Sequence, residues 1–128
     1  MKILDTDVLI DLLRSFPPAI RWLDSVADEV LMLPGFVVME LIQGCHNRKE
    51  QNRVMKILEG FEVLWPTEAT CERALKVFGE YHLRHGMGMI DVIVGQMSVD
   101  FKAALHTFNR KHYEPIPGIS LIQPYKKG

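Results

Sequence analysis

Five short apolar runs alternate with longer stretches of helical periodicity, and that alternation constrains the chain more than any other feature. The runs are residues 2–4, 29–33, 61–65, 103–106 and 119–122. None is long enough for a helix, and each is bounded by turn formers or charges, so each reads as a strand. Between them, apolar residues recur at three- and four-residue spacing. Val8, Leu9, Leu12 and Leu13 form the first such face; Pro17-Pro18 breaks it, and Pro18 opens a second with Ile20, Leu23, Val26 and Ala27. Pro34-Gly35 reads as a turn. Val37, Val38, Leu41 and Ile42 form a third face that Gly44 stops. Residues 48–59 carry Val54, Ile57 and Leu58 inward and end at Gly60. Thr67 precedes a helix with Glu68 and Glu72 near its positive end; residues 85–88 form a loop, and residues 90–100 form the last helix.

Strands alternating with helices predict an α/β domain with a central, mainly parallel sheet. In such sheets ligands bind outside the carboxyl ends of the strands, so chemistry is sought there. At 128 residues the chain forms one domain, 1–128, and has a core of its own without staples. Fifteen Lys+Arg against sixteen Asp+Glu give a net charge of −1, which excludes a polybasic nucleic-acid or membrane binder but not a nuclease that recruits metal cations. Cys45 and Cys71 make no framework and read as reduced, core or semi-buried thiols. The opening MKILDTDVLIDLL carries Asp5, Asp7 and Asp11, unlike a signal peptide, and no run reaches the roughly 18 apolar residues of a membrane span. The expectation is a soluble cytoplasmic protein.

Three acids stand alone in apolar surroundings: Asp5 after the first strand, Glu40 in FVVMELI and Asp91 in GMGMIDVIVGQM. A carboxylate in such a setting is costly unless paired or metal-bound. Three of them brought together would repel one another, and Mg²⁺ or Mn²⁺ relieves that repulsion. Taken singly, each is equally explained as a cap or a salt bridge. Asp7 is positioned to cap the first helix, and Asp11 reads as solvated.

The segments LDTDVLIDLL, VVMELIQG and GMIDVIVGQMS resemble the three acidic motifs of PIN domains, and within them the VapC-type toxins of toxin–antitoxin pairs. LHTFNRKHYEPIPGISLIQPY is similar to the family's final threonine–x–asparagine segment and last strand, so the resemblance spans nearly the whole chain. It implies a three-layer α/β/α sandwich and a Mg²⁺- or Mn²⁺-dependent ribonuclease. Asp5, Glu40 and Asp91 fall on the three acidic positions, as catalytic residues and metal ligands. Asn109 falls on a fourth position that is acid or asparagine among relatives, and His112 stands where many relatives have aspartate. Asp5 and Asp91 are then the primary ligands, and Glu40 holds or deprotonates water. Thr6 and Thr107 support the site by hydrogen bonds to phosphate or to the acids. The implied partners are RNA, a cognate antitoxin that puts a basic side chain into the acidic groove, and a second copy in a homodimer.

Basic candidates near the site are Arg84, His85, Arg110, Lys111 and His112, while Arg48, Lys49, Arg53 and Lys56 read as a solvated helical face. Two other readings compete. A non-catalytic module keeps the fold and uses its groove for a partner. Asp5-Thr6-Asp7 also looks like the opening of haloacid-dehalogenase-type phosphatases, with Asp5 as nucleophile and Asp7 as general acid, but the downstream acidic pair of that family is missing.

Overall fold

The computed structural model describes residues 1–127. Strands β1 (Lys2–Leu4), β2 (Leu31–Pro34), β3 (Glu62–Leu64), β4 (Leu105–His106) and β5 (Leu121–Ile122) form one sheet in the order β3-β2-β1-β4-β5. Every neighbouring pair is parallel. Helices α1 (Thr6–Leu13), α2 (Pro17–Ser25), α3 (Gly35–Gln43), α4 (Arg48–Leu58), α5 (Glu68–His85), α6 (Met89–Asp100) and α7 (Arg110–Tyr113) flank it, the parallel α/β architecture expected from the alternation.

β1 lies at the centre of the sheet. The chain runs from it to β2 and β3 on one side, then returns to place β4 and β5 on the other. The strand order therefore reverses between β1 and β4, the place in open parallel sheets where ligands are bound. Ile3, Leu4, Leu33 and Leu105 from the strands are fully buried against Val8, Leu9, Val37, Val92, Val94 and Met97 from the helices. Burying a side chain of this kind contributes about 1.5–3 kcal/mol.

Several elements differ from the sequence reading. β4 and β5 begin later than expected because Ala103 N–H donates back to Ser98 O (3.1 Å) and Ile119 N–H to Ile116 O (3.4 Å), so neither joins the ladder. Pro34-Gly35 is not a turn. Pro34 is the last residue of β2, paired with Leu64, and Gly35 is the first of α3. Gly35 lies under the Trp65 ring, which would have to shift to admit a Cβ. Helix α7 is a single turn and has no periodicity to detect in a sequence. Cys71 is exposed, not a core thiol; only Cys45 is half-buried, its thiol donating to Leu41 O at 3.4 Å. No described helix is long and apolar enough to cross a membrane.

Candidate active site

Asp5 follows β1 directly and caps α1. Its backbone N–H donates to His106 O (3.1 Å), which ties it to the end of β4. Its carboxylate is 5% exposed. Oδ1 accepts from Thr6 N–H and Oδ2 from Thr107 Oγ1, both at 2.8 Å. Thr107 is fully buried just past β4, so the pair bridges the two strands across the point where the strand order reverses. Asn109 N–H donates to Thr107 Oγ1 in turn (3.0 Å), which fixes the hydroxyl's proton toward Asp5. No Lys or Arg pairs with Asp5 among the described residues.

Glu40 lies near the end of α3, on the rim, and accepts from Thr6 Oγ1 at 3.3 Å. Asp91 sits in the first turn of α6. Tyr113 on α7 reaches it from below: the ring is 1% exposed and the hydroxyl donates to Asp91 Oδ1 at 3.4 Å. The same hydroxyl lies near enough to Asp5 for the two groups to act on each other's titration. His112 Nδ1 lies 3.4 Å from Asp91 Oδ2. Asn109 is the exposed N-cap of α7, joined to the acids through its backbone and Thr107. Thus Asp5, Thr6, Glu40, Thr107 and Asn109 form one hydrogen-bonded chain, and Tyr113 holds Asp91.

Asp7 and Asp11 have roles other than those expected. The helix cap is Asp5, and Asp7 instead accepts from Val8 N–H and Phe108 N–H, each at 2.8 Å, pinning the segment after β4 to α1. An aspartate so engaged is not free to act as a phosphatase general acid. Asp11 is not solvated: Tyr125 donates to it at 2.8 Å and Lys127 Nζ lies 3.0 Å away. Tyr113 was not singled out by the sequence, because one aromatic residue in a one-turn helix carries no pattern.

The electrostatics follow from this crowding. Burial holds the Asp5 carboxyl above its usual range, and Asp91 adds to the effect against the hydrogen bonds of Thr107 and Thr6. Burial likewise raises Glu40, with Asp5 and Asp91 contributing. Asp91 is raised by burial, against the pull of His112. Asp7 is raised by burial and by Asp5. Burial is the largest cause at all four, a desolvation cost that a bound cation would offset. All-oxygen donors of this kind suit Mg²⁺ or Mn²⁺. Among the described residues no three of His, Cys, Asp and Glu converge into a ready-made cage. Mg²⁺ commonly takes only one or two carboxylates and completes its shell with water and substrate phosphate. The donor set fits the ion on those terms.

A cavity of about 260 Å³ opens beside the acids, between α1, α3 and α4. Thr6 and Glu40 belong to its wall, together with Arg14 and Arg53. Arg53 is therefore not a freely solvated charge on a helical face; its guanidinium donates to Leu13 O at 2.9 Å.

A PIN domain model matches residues 2–115. No curated protein matches the chain. Among solved structures, a toxin–antitoxin complex from Klebsiella pneumoniae aligns with TM-score 0.79 at 22% identity, over 99% of this chain and 100% of that one. VapBC2 from Rickettsia felis, bound to a promoter DNA fragment, gives 0.79 at 19%, over 94% and 96%. DNA-bound VapBC from Salmonella typhimurium gives 0.77 at 24%, over 95% and 98%.

Proposed function

The chain belongs to the PIN domain family, and on that premise we propose that it is a Mg²⁺- or Mn²⁺-dependent endoribonuclease, the toxin of a toxin–antitoxin pair. The observation that carries the reading is the placement of the acids: Asp5 is buried at the carboxyl end of β1, Glu40 on α3 is joined to it through Thr6, Asp91 stands in the first turn of α6, and no Lys or Arg pairs with them among the described residues. Asp5 and Asp91 are the residues to hold the cation, with Glu40 on the rim. When bound, the ion supplies neutralisation of a phosphodiester oxygen and a lowered pKa for water. The protein's own groups do the rest. Thr107 and Thr6 fix the rotamer of Asp5, Asp7 holds the segment that carries Thr107, and Glu40 accepts the proton of the attacking water.

The acidic crevice suits a basic side chain as well as a cation, and the similar structures include toxin–antitoxin and VapBC complexes. Both support an antitoxin that blocks the site. Leu75 and Met89 line one apolar groove between α5 and α6, and Leu83 is exposed further along α5; such surface supports a homodimer. The reading implies a cytoplasmic protein, because RNA is available there.

The test is cleavage of a defined single-stranded RNA by purified protein. Mg²⁺ or Mn²⁺ should support it, EDTA should silence it, and Asp5→Asn, Glu40→Gln and Asp91→Asn should each reduce it by about 10²-fold or more. Cleavage that persists in Asp91→Asn would sink the reading.

A further inference from the structure

The Tyr113 hydroxyl does something that packing alone does not require. α7 is seated on α6 at Gly95, where an added Cβ would lie 2.2 Å from Ile116 Cδ1 and 3.3 Å from Tyr113 Cδ1. That close approach sinks the tyrosine ring into the core and leaves its rotamer no freedom. The buried ring ends in a polar atom, and that atom meets a carboxylate, Asp91 Oδ1 on α6, at 3.4 Å. A phenylalanine would fill the same space with no donor. From this juxtaposition we infer that Tyr113 is a positioning residue for the cation site, its hydroxyl fixing the orientation of Asp91 beside the buried Asp5.

The argument is geometric. Asp5 is oriented through Thr6 and Thr107, both tied to β1 and β4. Asp91 has no such backbone donor; its Oδ1 meets Tyr113, and its Oδ2 meets the exposed side chain of His112. Without the tyrosine hydroxyl, only a solvent-facing imidazole would orient Asp91. Two repelling carboxylates then turn apart, and a cation must reassemble them. Partners outside the ligand set commonly alter metal affinity by 10–100-fold when removed.

This inference rests on the metal-dependent reading of the site, and the experiment separates the two. Mn²⁺ binding is measured by calorimetry and by electron paramagnetic resonance for wild type and Tyr113→Phe, with thermal melting as a check on folding. The expected result is saturable binding by wild type and at least about 10-fold weaker binding by a folded Tyr113→Phe. Unchanged or tighter binding by Tyr113→Phe overturns the positioning role alone. No saturable binding by wild type overturns the metal reading and this role with it. A second readout needs no variant. The chain has three tyrosines; with ¹³Cζ-labelled tyrosine, Mg²⁺ should shift the Tyr113 resonance and leave Tyr81 and Tyr125 in place. A Tyr113 resonance that does not move overturns the proposal whether or not the variant folds.

Discussion

Asp5 shows how much one residue can be asked to do. It closes β1, caps α1 and accepts from Thr107 across the sheet, and it remains a buried carboxylate without a cationic partner. The lone acids were legible in the sequence because an acid inside an apolar run needs a reason. Their mutual relation was not, since Thr6 reaches across 34 residues to join Glu40 to Asp5, and the partners that hold Asp5 and Asp91, Thr107 and Tyr113, come from far along the chain. Asn109 tests the residue-scale account. It is exposed and touches the acids only through its backbone. Asn109→Ala should therefore cost cleavage less than loss of any of the three acids. Asn109→Asp should keep activity and tighten Mn²⁺ binding by adding a carboxylate beside the crevice. Single and double acid variants should lose activity to similar extents, because groups that act on one centre do not add. Rates of RNA cleavage with calorimetric Mn²⁺ titration read all three outcomes.

At the scale of elements, the order and type of every strand and of six helices were readable, because hydrophobic period and Gly/Pro punctuation are local signals. What was not readable was decided by contacts between elements. Pro34-Gly35 looked like a turn from composition, yet Trp65 reserves the space over Gly35 and β3 pairs with Pro34. Asp7 looked like a cap, yet its bonds reach Phe108. Helix α7 had no signal because one turn has no period, and it is the element that brings Tyr113 and His112 to Asp91. Its seat on α6 gives an element-scale prediction. Gly95→Ala gains up to about 1 kcal/mol of helix propensity. Against that stands deep overlap with Ile116, a fully buried side chain that cannot swing into solvent. Overpacking of this kind costs about 1–3 kcal/mol. Gly95→Ala should therefore melt at lower temperature than wild type, and by displacing α7 it should also weaken Mn²⁺ binding. A variant that is more stable and binds normally would show that α7 moves independently of the site.

At the scale of the whole molecule, two consequences can be measured, of which the first is assembly. Leu83 is 89% exposed on α5, and Leu75 and Met89 add to an apolar face that a lone chain does not need. Light scattering should report a dimer at micromolar concentration, and Leu83→Glu with Leu75→Glu should give monomer without lowering the melting temperature of the fold itself.

The second consequence is a pH dependence set by the acid cluster. The carboxyls of Asp5, Asp7, Glu40 and Asp91 are all held above their ordinary values, so the folded protein binds more protons than the unfolded chain from the ordinary carboxyl range upward. Stability from these groups must fall as pH rises through their raised values. Buried His106, held below its ordinary value, works in the opposite sense on the acid side, and Asp100, lowered by Arg73, does so as well. The cluster is therefore isolated by difference. Asp5→Asn mimics the protonated carboxyl, so without divalent metal its melting temperature should match wild type near the acid end and exceed it by a few degrees at neutral pH, about 1 kcal/mol of relief on the usual scale. Excess Mg²⁺ should reverse the order at neutral pH, since binding at 100 times Kd stabilises wild type by about 2.7 kcal/mol and the variant by less. If Asp5→Asn melts below wild type at every pH in EDTA, then Asp5 is held by its threonine bonds more strongly than it is strained by its neighbours. A cation would then have no repulsion to relieve.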